Sequence, residues 1–586
     1  MEKDKIKFDK CTCEIIPGKF DIKNIPLDCS AVWNLISSGY TTGIFQLESR
    51  LGMDWSKKIK PQNIKELAAL TAILRPSCLE SGMSESYVDI KFGRKKPSYI
   101  HPALEDIFKD TYGTFVYQEQ SLRIATEIAG FSLEDADQLR IAIGKKKADL
   151  MARLKIKFID GCTKKKNITK DIAEEIFGWI EKSQRYQFNY SHAVSYAMLS
   201  YQTAYIKTHF PLEFFTSYLT YSNYKADTME EIYRLVQDAR LFGIEVLQPD
   251  IRECNTKFKI INDKIRFGLS NIKGVGESAI NKIIKNGKES MSTWQQFLKS
   301  IPALHKNIGI ALIKSGACDC YGLQRSQMIK ESENIFGITI KDQNGKTKDI
   351  KGLTERERKW FFYKLDDNKT VKDVFEEMTS KVNELSTRSL SGMKKNSIIE
   401  FTKEFTGLND EDLIGKTKFD IINLLKKYGY ETDKENKPCS NIKRINLIKE
   451  KIKELDEESI DTNLGKATAE KYFLGIALSC SPADDVDNSN VSHTCLDLAK
   501  AVNGQSFSVC CVIDNVKHTK TKKGKNIGSL MCFLTISDST YSIDHAVVFP
   551  DAYQKIGKLC KDTLVVMCYG EKKNGSIVVH DIKKLI

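Results

Sequence analysis

The stretch Arg185–Pro211 constrains the fold more than any other part of the chain. Its first eight residues, through His192, are polar or aromatic, and the eighteen that follow read as one helix. Ser191 stands at the expected N-cap, Ala193, Ala197, Ala204 and Ile206 supply the packing stripe, and Pro211 stops the run. A helix that opens on Ser191-His192 after Asn189 presents free backbone N–H groups and a titratable ring at its positive end, a fitting seat for a phosphate. The alternative is an ordinary buried helix with a capping serine, and the stretch alone does not separate the two.

Charge adds a second constraint. The net +13 is uneven: residues 331–470 hold 27 Lys+Arg against 28 Asp+Glu, whereas residues 505–586 hold 12 Lys against 7 acids. Residues 471–504 carry 2 Lys and 4 Asp, which leaves about +11 in residues 1–330. Basic modules on either side of a neutral connector suit a polyanion gripped at two places. No run approaches the roughly eighteen apolar residues of a membrane span, and the N-terminus lacks a signal peptide's apolar stretch. The sixteen cysteines are scattered; Cys11/Cys13 and Cys318/Cys320 have no second pair at zinc spacing. They read as reduced thiols in a cytoplasm, that of a bacterium or of a virus's host.

Taken in order, the chain predicts helices over Ser30–Ser37 and Ile64–Leu74, the latter ended by Arg75-Pro76. Two more span Glu119–Ala129 and Leu133–Ile143, separated by Gly130, the second opened by Ser132 with Asp135 at N3. That helix carries Arg140 and runs into Gly144-Lys145-Lys146-Lys147. Residues 141–170 hold ten Lys/Arg against Asp149 and Asp160 alone. A solvated face would mix in acids as i,i+4 pairs, so phosphate contact is the favoured reading. A helix over Met229–Phe242 and a strand over Ile244–Pro249 follow. Then Ile272-Lys273-Gly274-Val275-Gly276, before a helix at Ile280–Ile284, has a helix-hairpin-helix pattern whose glycines let the backbone approach a DNA phosphate. A degenerate second copy falls at Ile313–Gly316. Residues 331–470 are polar, charge-balanced and helical in pattern.

The last 82 residues alternate in apolar character at Phe507–Ile513 and Leu530–Ile536, with further strands at 546–549, 564–568 and 577–580. Five short strands fit an OB-fold. Its first turn, Thr519–Lys525, offers Lys520, Lys522, Lys523 and Lys525 to single-stranded nucleic acid. A basic hairpin turn without a ligand is the plainer reading.

Several strings resemble the fingers domain of the alpha subunit of bacterial replicative DNA polymerase III (family C). They are Gly43–Ser49, Leu74-Arg75-Pro76 with Glu80–Met83, Tyr112-Gly113 with Tyr117–Gln120, Gly144–Lys147, Phe188-Asn189-x-Ser191-His192, Tyr196-Ala197 and Ser200–Thr203. The resemblance implies nucleotide binding by Arg140, Lys145, Lys146, Asn189, Ser191 and His192. It implies DNA contact by Lys147, by Lys273, Gly274 and Gly276, and by the four turn lysines. Two positions depart from the family pattern: Ile141 stands where a second Arg is typical, and Tyr190 where Lys is typical. Both departures remove positive charge beside the expected triphosphate. The family's three palm aspartates should precede this segment, and Asp4, Asp9 and Asp21 form no Asp-x-Asp pair. Two Mg²⁺ ions are therefore expected on a partner chain carrying palm and thumb.

The layout implied is a leader (1–40), a mainly α fingers domain (41–250), its end with the helix-hairpin-helix (251–330), a helical connector (331–470) and a small all-β OB-fold domain (471–586). The reading is half of a split DNA polymerase, inactive alone, from a gene that suits a virus of bacteria. Its expected partners are primer–template, dNTP and the palm chain. A sliding clamp is a further candidate partner, although 325–345 holds no Gln-x-x-Leu/Met-Phe peptide. The rival is a non-catalytic relative that clamps or regulates DNA.

Overall fold

The computed structural model describes residues 20–585 except 145–147, 167, 184–186, 254, 286–290, 305, 342–346, 351, 354, 387–393, 429–440, 487–490, 522–526 and 574. Among the expected contacts, Lys145, Lys146, Lys147, Lys522, Lys523 and Lys525 lie outside the described residues, as do Arg185, Asp4 and Asp9. The chain forms two compact units: residues 1–218 with 241–243, and residues 219–240 with 244–586. The expected domain edge at 250/251 coincides with neither.

The first unit is helical. Helix α1 (Ile64–Ile73) buries Leu67, Ala68, Ala69, Leu70, Ala72 and Ile73, a nearly all-apolar surface that suits a core helix. Asn63 caps it by accepting from the Glu66 N–H, and Pro76 opens the next short helix at its N1 position. A second core gathers Phe108, Phe115, Phe158 and Phe177 around α2 (Leu133–Gly144) and the helices Ala148–Lys166 and Lys170–Ser183. Phe108–Phe115 and Phe158–Phe177 meet edge to face, 5.0 and 5.3 Å between centroids. The predicted cap of α2 forms: Ser132 Oγ accepts from the Asp135 N–H, and the Asp135 carboxylate takes the Ser132 hydroxyl.

Helix α3 (Tyr190–His209) packs on α1 and buries Ala193, Ala197 and Ala204. Its N-cap is Asn189, not Ser191: the Asn189 side chain accepts from the His192 N–H. Near its other end Lys207 is fully buried and donates to the Tyr40 and Thr42 carbonyls at 2.8 and 2.7 Å. Its ammonium also lies over the rings of Phe214, Phe215 and Phe242. Two carbonyls and three ring faces replace the water that a buried cation would otherwise miss.

The second unit opens with α4 (Thr228–Leu241, all but its last residue) and a three-stranded sheet of Val246–Leu247, Lys264–Arg266 and Lys259–Ile261, in that order. The expected strand over 244–249 is thus only two residues long. The hairpin Ile272–Gly276 leads into α5 (Glu277–Lys285), and the region ends on α6 (Arg325–Phe336). Among its described residues the connector has helices and one two-stranded ribbon, Ile338–Lys341 with Thr347–Ile350. Helix α7 (Asn463–Leu474) runs across the expected 470/471 boundary, so the connector and the module after it share a helix.

The C-terminal module is a closed five-stranded barrel: β1 (Ser506–Lys520), β2 (Leu530–Ser537), β3 (Ser542–Val548), β4 (Val565–Lys573) and β5 (Ser576–Lys584). The order is β5-β3-β2-β1-β4, with only β3–β5 parallel and a helix, Pro550–Ile556, between β3 and β4. Phe507, Val509, Cys511 and Ile513 point inward at alternate positions and meet Cys532, Leu534 and Ile536. A register shift after Ile513 turns Val516 inward for the rest of β1. This is the arrangement of an OB-fold. Among the described residues no helix is long and apolar enough to cross a membrane, and the twelve described cysteines are free thiols.

Candidate nucleic-acid interface

Three distant strings converge at the start of α3. Phe188 bridges Val116 and Gln118: its N–H donates to the Val116 carbonyl, and its carbonyl accepts from the Gln118 N–H, both 2.9 Å. Gln120 holds the other side of that bridge, its Oε1 accepting from the Val116 and Tyr117 N–H groups. The Glu119 carboxylate then accepts from Asn189 Nδ2 and from the Tyr190 N–H, each 2.9 Å. Arg75 lies 4.6 Å over the Phe188 ring. Leu74–Pro76, Tyr117–Gln120 and Phe188–His192 therefore build one site.

Within it the candidate residues divide by role. Asn189 Oδ1 accepts from both the Ser191 hydroxyl (2.7 Å) and the His192 N–H (2.8 Å), while its amide donates to Glu119. Asn189 is thus a positioning residue. Ser191 and His192 are exposed, as is Asn189, and the His192 ring lies tilted against Phe188 and Tyr196, 5.3 and 4.1 Å between centroids. Tyr190 packs edge-on to Tyr117 at 4.7 Å. Tyr117 is buried, and burial pushes its phenol well above the usual range.

Arg140 is not drawn into this cluster by any described contact. It forms an ion pair with Asp137 on its own helix, 2.8 Å, and is partly exposed. The basic run beyond it is less free than its composition predicts. Lys157 pairs with Asp135 and Lys164 with Asp160, Lys165 donates to the Thr126 carbonyl, and Lys155 lies over Phe177. Four of these lysines thus have partners within the protein. Three of those partners lie 22 to 39 residues away in sequence, beyond the reach of an i,i+4 test.

The hairpin is open on its outer side. Gly274 has φ +84°, and nothing lies within 4 Å of where its Cβ would be; at Gly276 a Cβ would meet only Ser278 Oγ at 4.0 Å. Among the described residues the Gly274, Gly276 and Glu277 N–H groups make no hydrogen bond, leaving amides at the start of α5 for an anion. Lys273 differs from expectation: its N–H donates to the Phe473 carbonyl, and only its side chain is exposed.

On the barrel, Lys520 is exposed at the end of β1, opposite Leu530. Phe533, between the core residues Cys532 and Leu534, faces outward; it lies opposite Lys517 and 6.1 Å from the His545 ring. A ring flanked by a cation and an imidazole suits a stacked base, and it was missed because one outward Phe leaves no periodic signal. The neighbouring part of the face is closed to phosphates. Helix α4 docks there, with Tyr233 donating to Asp544 at 3.0 Å and the Ser542 N–H donating to Gln237 at 3.2 Å. The adjoining cleft, about 770 Å³, is lined by Asp227, Glu230, Asp514 and Asp544 among others. Burial, and after it Asp544 and Asp227, raise the Glu230 carboxyl above its usual range.

Comparison with known proteins decides the kinship. Residues 7–166 match the family profile "Bacterial DNA polymerase III alpha subunit finger domain", and residues 243–328 match "Helix-hairpin-helix motif". DNA polymerase III subunit alpha of Aquifex aeolicus is 39% identical over 326 residues, 55% of this chain and 28% of that protein.

Over these residues the chain is similar to the bacterial DNA polymerase III alpha subunit.

The alpha subunits of Pseudomonas aeruginosa and Escherichia coli agree, at 38% over 312 residues and 35% over 342. These matches cover 52% and 56% of this chain, and 26% and 29% of the two relatives. Less than a third of each alpha subunit is therefore spanned. The finger match contains Glu119 and Arg140 but ends before Asn189, so the contact between Glu119 and Asn189 ties the matched finger segment to the start of α3. Glu119 was legible as part of a string, but its role required the fold.

Proposed function

We propose that this chain supplies the fingers and the DNA-holding modules of a replicative DNA polymerase, completed by a chain that carries palm and thumb. The observation that supports this most directly is the Glu119–Asn189 clamp. It fixes the start of a twenty-residue helix while leaving Ser191 and His192 outward, where an incoming triphosphate would meet the helix dipole. Arg140 and the lysines that follow it would add charge on the same domain. Primer–template would lie on the hairpin amides of Gly274 and Gly276, and single-stranded template on Phe533, Lys517 and Lys520.

Phosphoryl transfer in such enzymes uses two Mg²⁺ ions between converging carboxylates. The described residues do not fit them: no three His, Cys, Asp or Glu side chains gather as a metal site, and Asp21 caps the turn Ile22–Asn24. In this reading the metal ligands belong to the palm chain. Tyr190 and Ile141, which replace the two expected basic residues, favour the second reading, a non-catalytic relative that holds DNA.

Primer extension separates the two. The purified chain with Mg²⁺ is expected to extend nothing, and addition of a palm- and thumb-bearing chain is expected to restore synthesis. Extension by the chain alone overturns the division of labour. Failure of palm chains to restore it supports the non-catalytic relative.

A further inference from the structure

Helix α7 lies outside both family matches, yet it touches every module of the second unit that the proposed function uses. The buried Glu470 carboxylate takes Arg325 of α6 at 2.6 Å and the Leu478 and Ser479 N–H groups. Lys471 pairs with Asp514 of β1. The Phe473 carbonyl takes the Lys273 N–H, and Gly475 closes the helix against α4. There its φ is +83°, and a Cβ would lie 2.5 Å from the Met229 carbonyl, so only glycine fits. Between Phe473 and Lys471 stands Tyr472, 58% exposed, with the Lys273 ammonium 4.0 Å over its ring.

We propose that Tyr472 is a positioning residue for DNA binding, holding the Lys273 ammonium beside the hairpin amides; this rests on the hairpin being a DNA contact. Lys273 sits on the hairpin loop itself and has no carboxylate within ion-pair distance among the described residues, unlike Lys157, Lys264 and Lys471. A carboxylate partner would cancel the charge that a phosphate needs. A ring face orients the ammonium and leaves its charge intact. The neighbouring bond from the Lys273 N–H to Phe473 fixes the backbone of the same residue, so main chain and side chain of Lys273 are both set by consecutive residues of α7. An unheld lysine would have to lose its rotamer freedom on binding; here part of that loss has already occurred.

The test is anisotropy of a fluorescent primer–template with the full chain over a salt series, comparing Tyr472→Phe, Tyr472→Leu, Lys273→Met and the Tyr472→Leu/Lys273→Met pair. Tyr472→Phe keeps the ring and is expected to bind as wild type. Tyr472→Leu is expected to weaken binding about two- to fivefold, the size of an exposed cation–π contact. Lys273→Met should lower the log–log salt slope by about 0.9, one phosphate on duplex DNA. Tyr472→Leu should then add nothing to Lys273→Met. Additive losses, tighter binding by Tyr472→Leu, or an equal loss in Tyr472→Phe overturns the positioning role while leaving the hairpin contact standing. An unchanged slope in Lys273→Met removes the Lys273 contact and Tyr472's role with it.

Discussion

Removing the Glu119 carboxylate should loosen the start of α3 without disturbing its middle. Glu119→Ala deletes two accepted bonds, from Asn189 Nδ2 and the Tyr190 N–H, both 2.9 Å. A hydrogen bond to a charged group contributes about 1.5–3 kcal/mol when well shielded. Asn189 is exposed and Glu119 half-buried, so the lower part of that range applies. Loss of N-cap function costs about 1 kcal/mol in other helices, and an acid near a helix start contributes about 0.3–1 kcal/mol through the dipole. The expected cost to the first turn is therefore about 1–2 kcal/mol. Read by hydrogen exchange, the Tyr190 and His192 amides should exchange roughly 5- to 30-fold faster, following RT ln of the rate ratio. Amides between Ser200 and Ile206, held by α1 and by ordinary helical bonds, should keep their rates. Glu119→Gln, which keeps an acceptor but no charge, should fall between. Unchanged exchange at Tyr190 and His192 in Glu119→Ala would refute the clamp.

In a reconstituted polymerase Arg140→Ala is expected to lower kcat/KM for nucleotide about ten- to a hundred-fold, the size of one or two charge-assisted bonds, with primer–template affinity nearly constant; equal losses in both would move Arg140 onto the template. Because Tyr190 packs on Tyr117, Tyr190→Lys should cost the start of α3 about 0.5–1.5 kcal/mol even as it restores charge, seen as faster exchange of the same amides. Burial holds the His209 imidazole, 3.4 Å from Cys29 Sγ and against the Tyr205 ring, below its ordinary 6.5. The unfolded chain then binds the proton first, so stability is complete above about pH 6.5 and falls as the pH drops below it. The urea midpoint should decline from pH 7.5 to 5.5, and His209→Gln should flatten that decline; an equal decline in the variant removes His209 as a cause.

Local signals predicted what local forces decide. Ser30–Ser37, the end of α1 at Pro76 and the Ser132–Asp135 cap all occur where periodicity and cap residues place them, because each depends on neighbours within four positions. The barrel strands follow from their alternation, although the register shift after Ile513 does not, since a bulge is set by the partner strand. The N-cap of α3 lies two residues before the predicted Ser191: Asn189 is an equally good cap residue, and Glu119, some seventy positions away, holds it in that role. Lys207 reads as a surface lysine in a helix and is instead buried by residues 40–42, 214, 215 and 242. Helix α7 was divided between two domains because its anchors, Arg325, Asp514, Lys273 and Met229, are invisible at the level of composition.

The central claim is that the start of α3 meets the incoming nucleotide. It is tested most directly by photo-cross-linking a dNTP with a photoreactive group on its terminal phosphate, in the complex with primer–template and a palm-bearing chain. The account predicts label on the peptide containing Ser191 and His192, competed away by excess unmodified dNTP; label on the stretch from Arg140 to Lys147 without it would contradict the claim. Label confined to the palm-bearing chain, with none on this one, would contradict it.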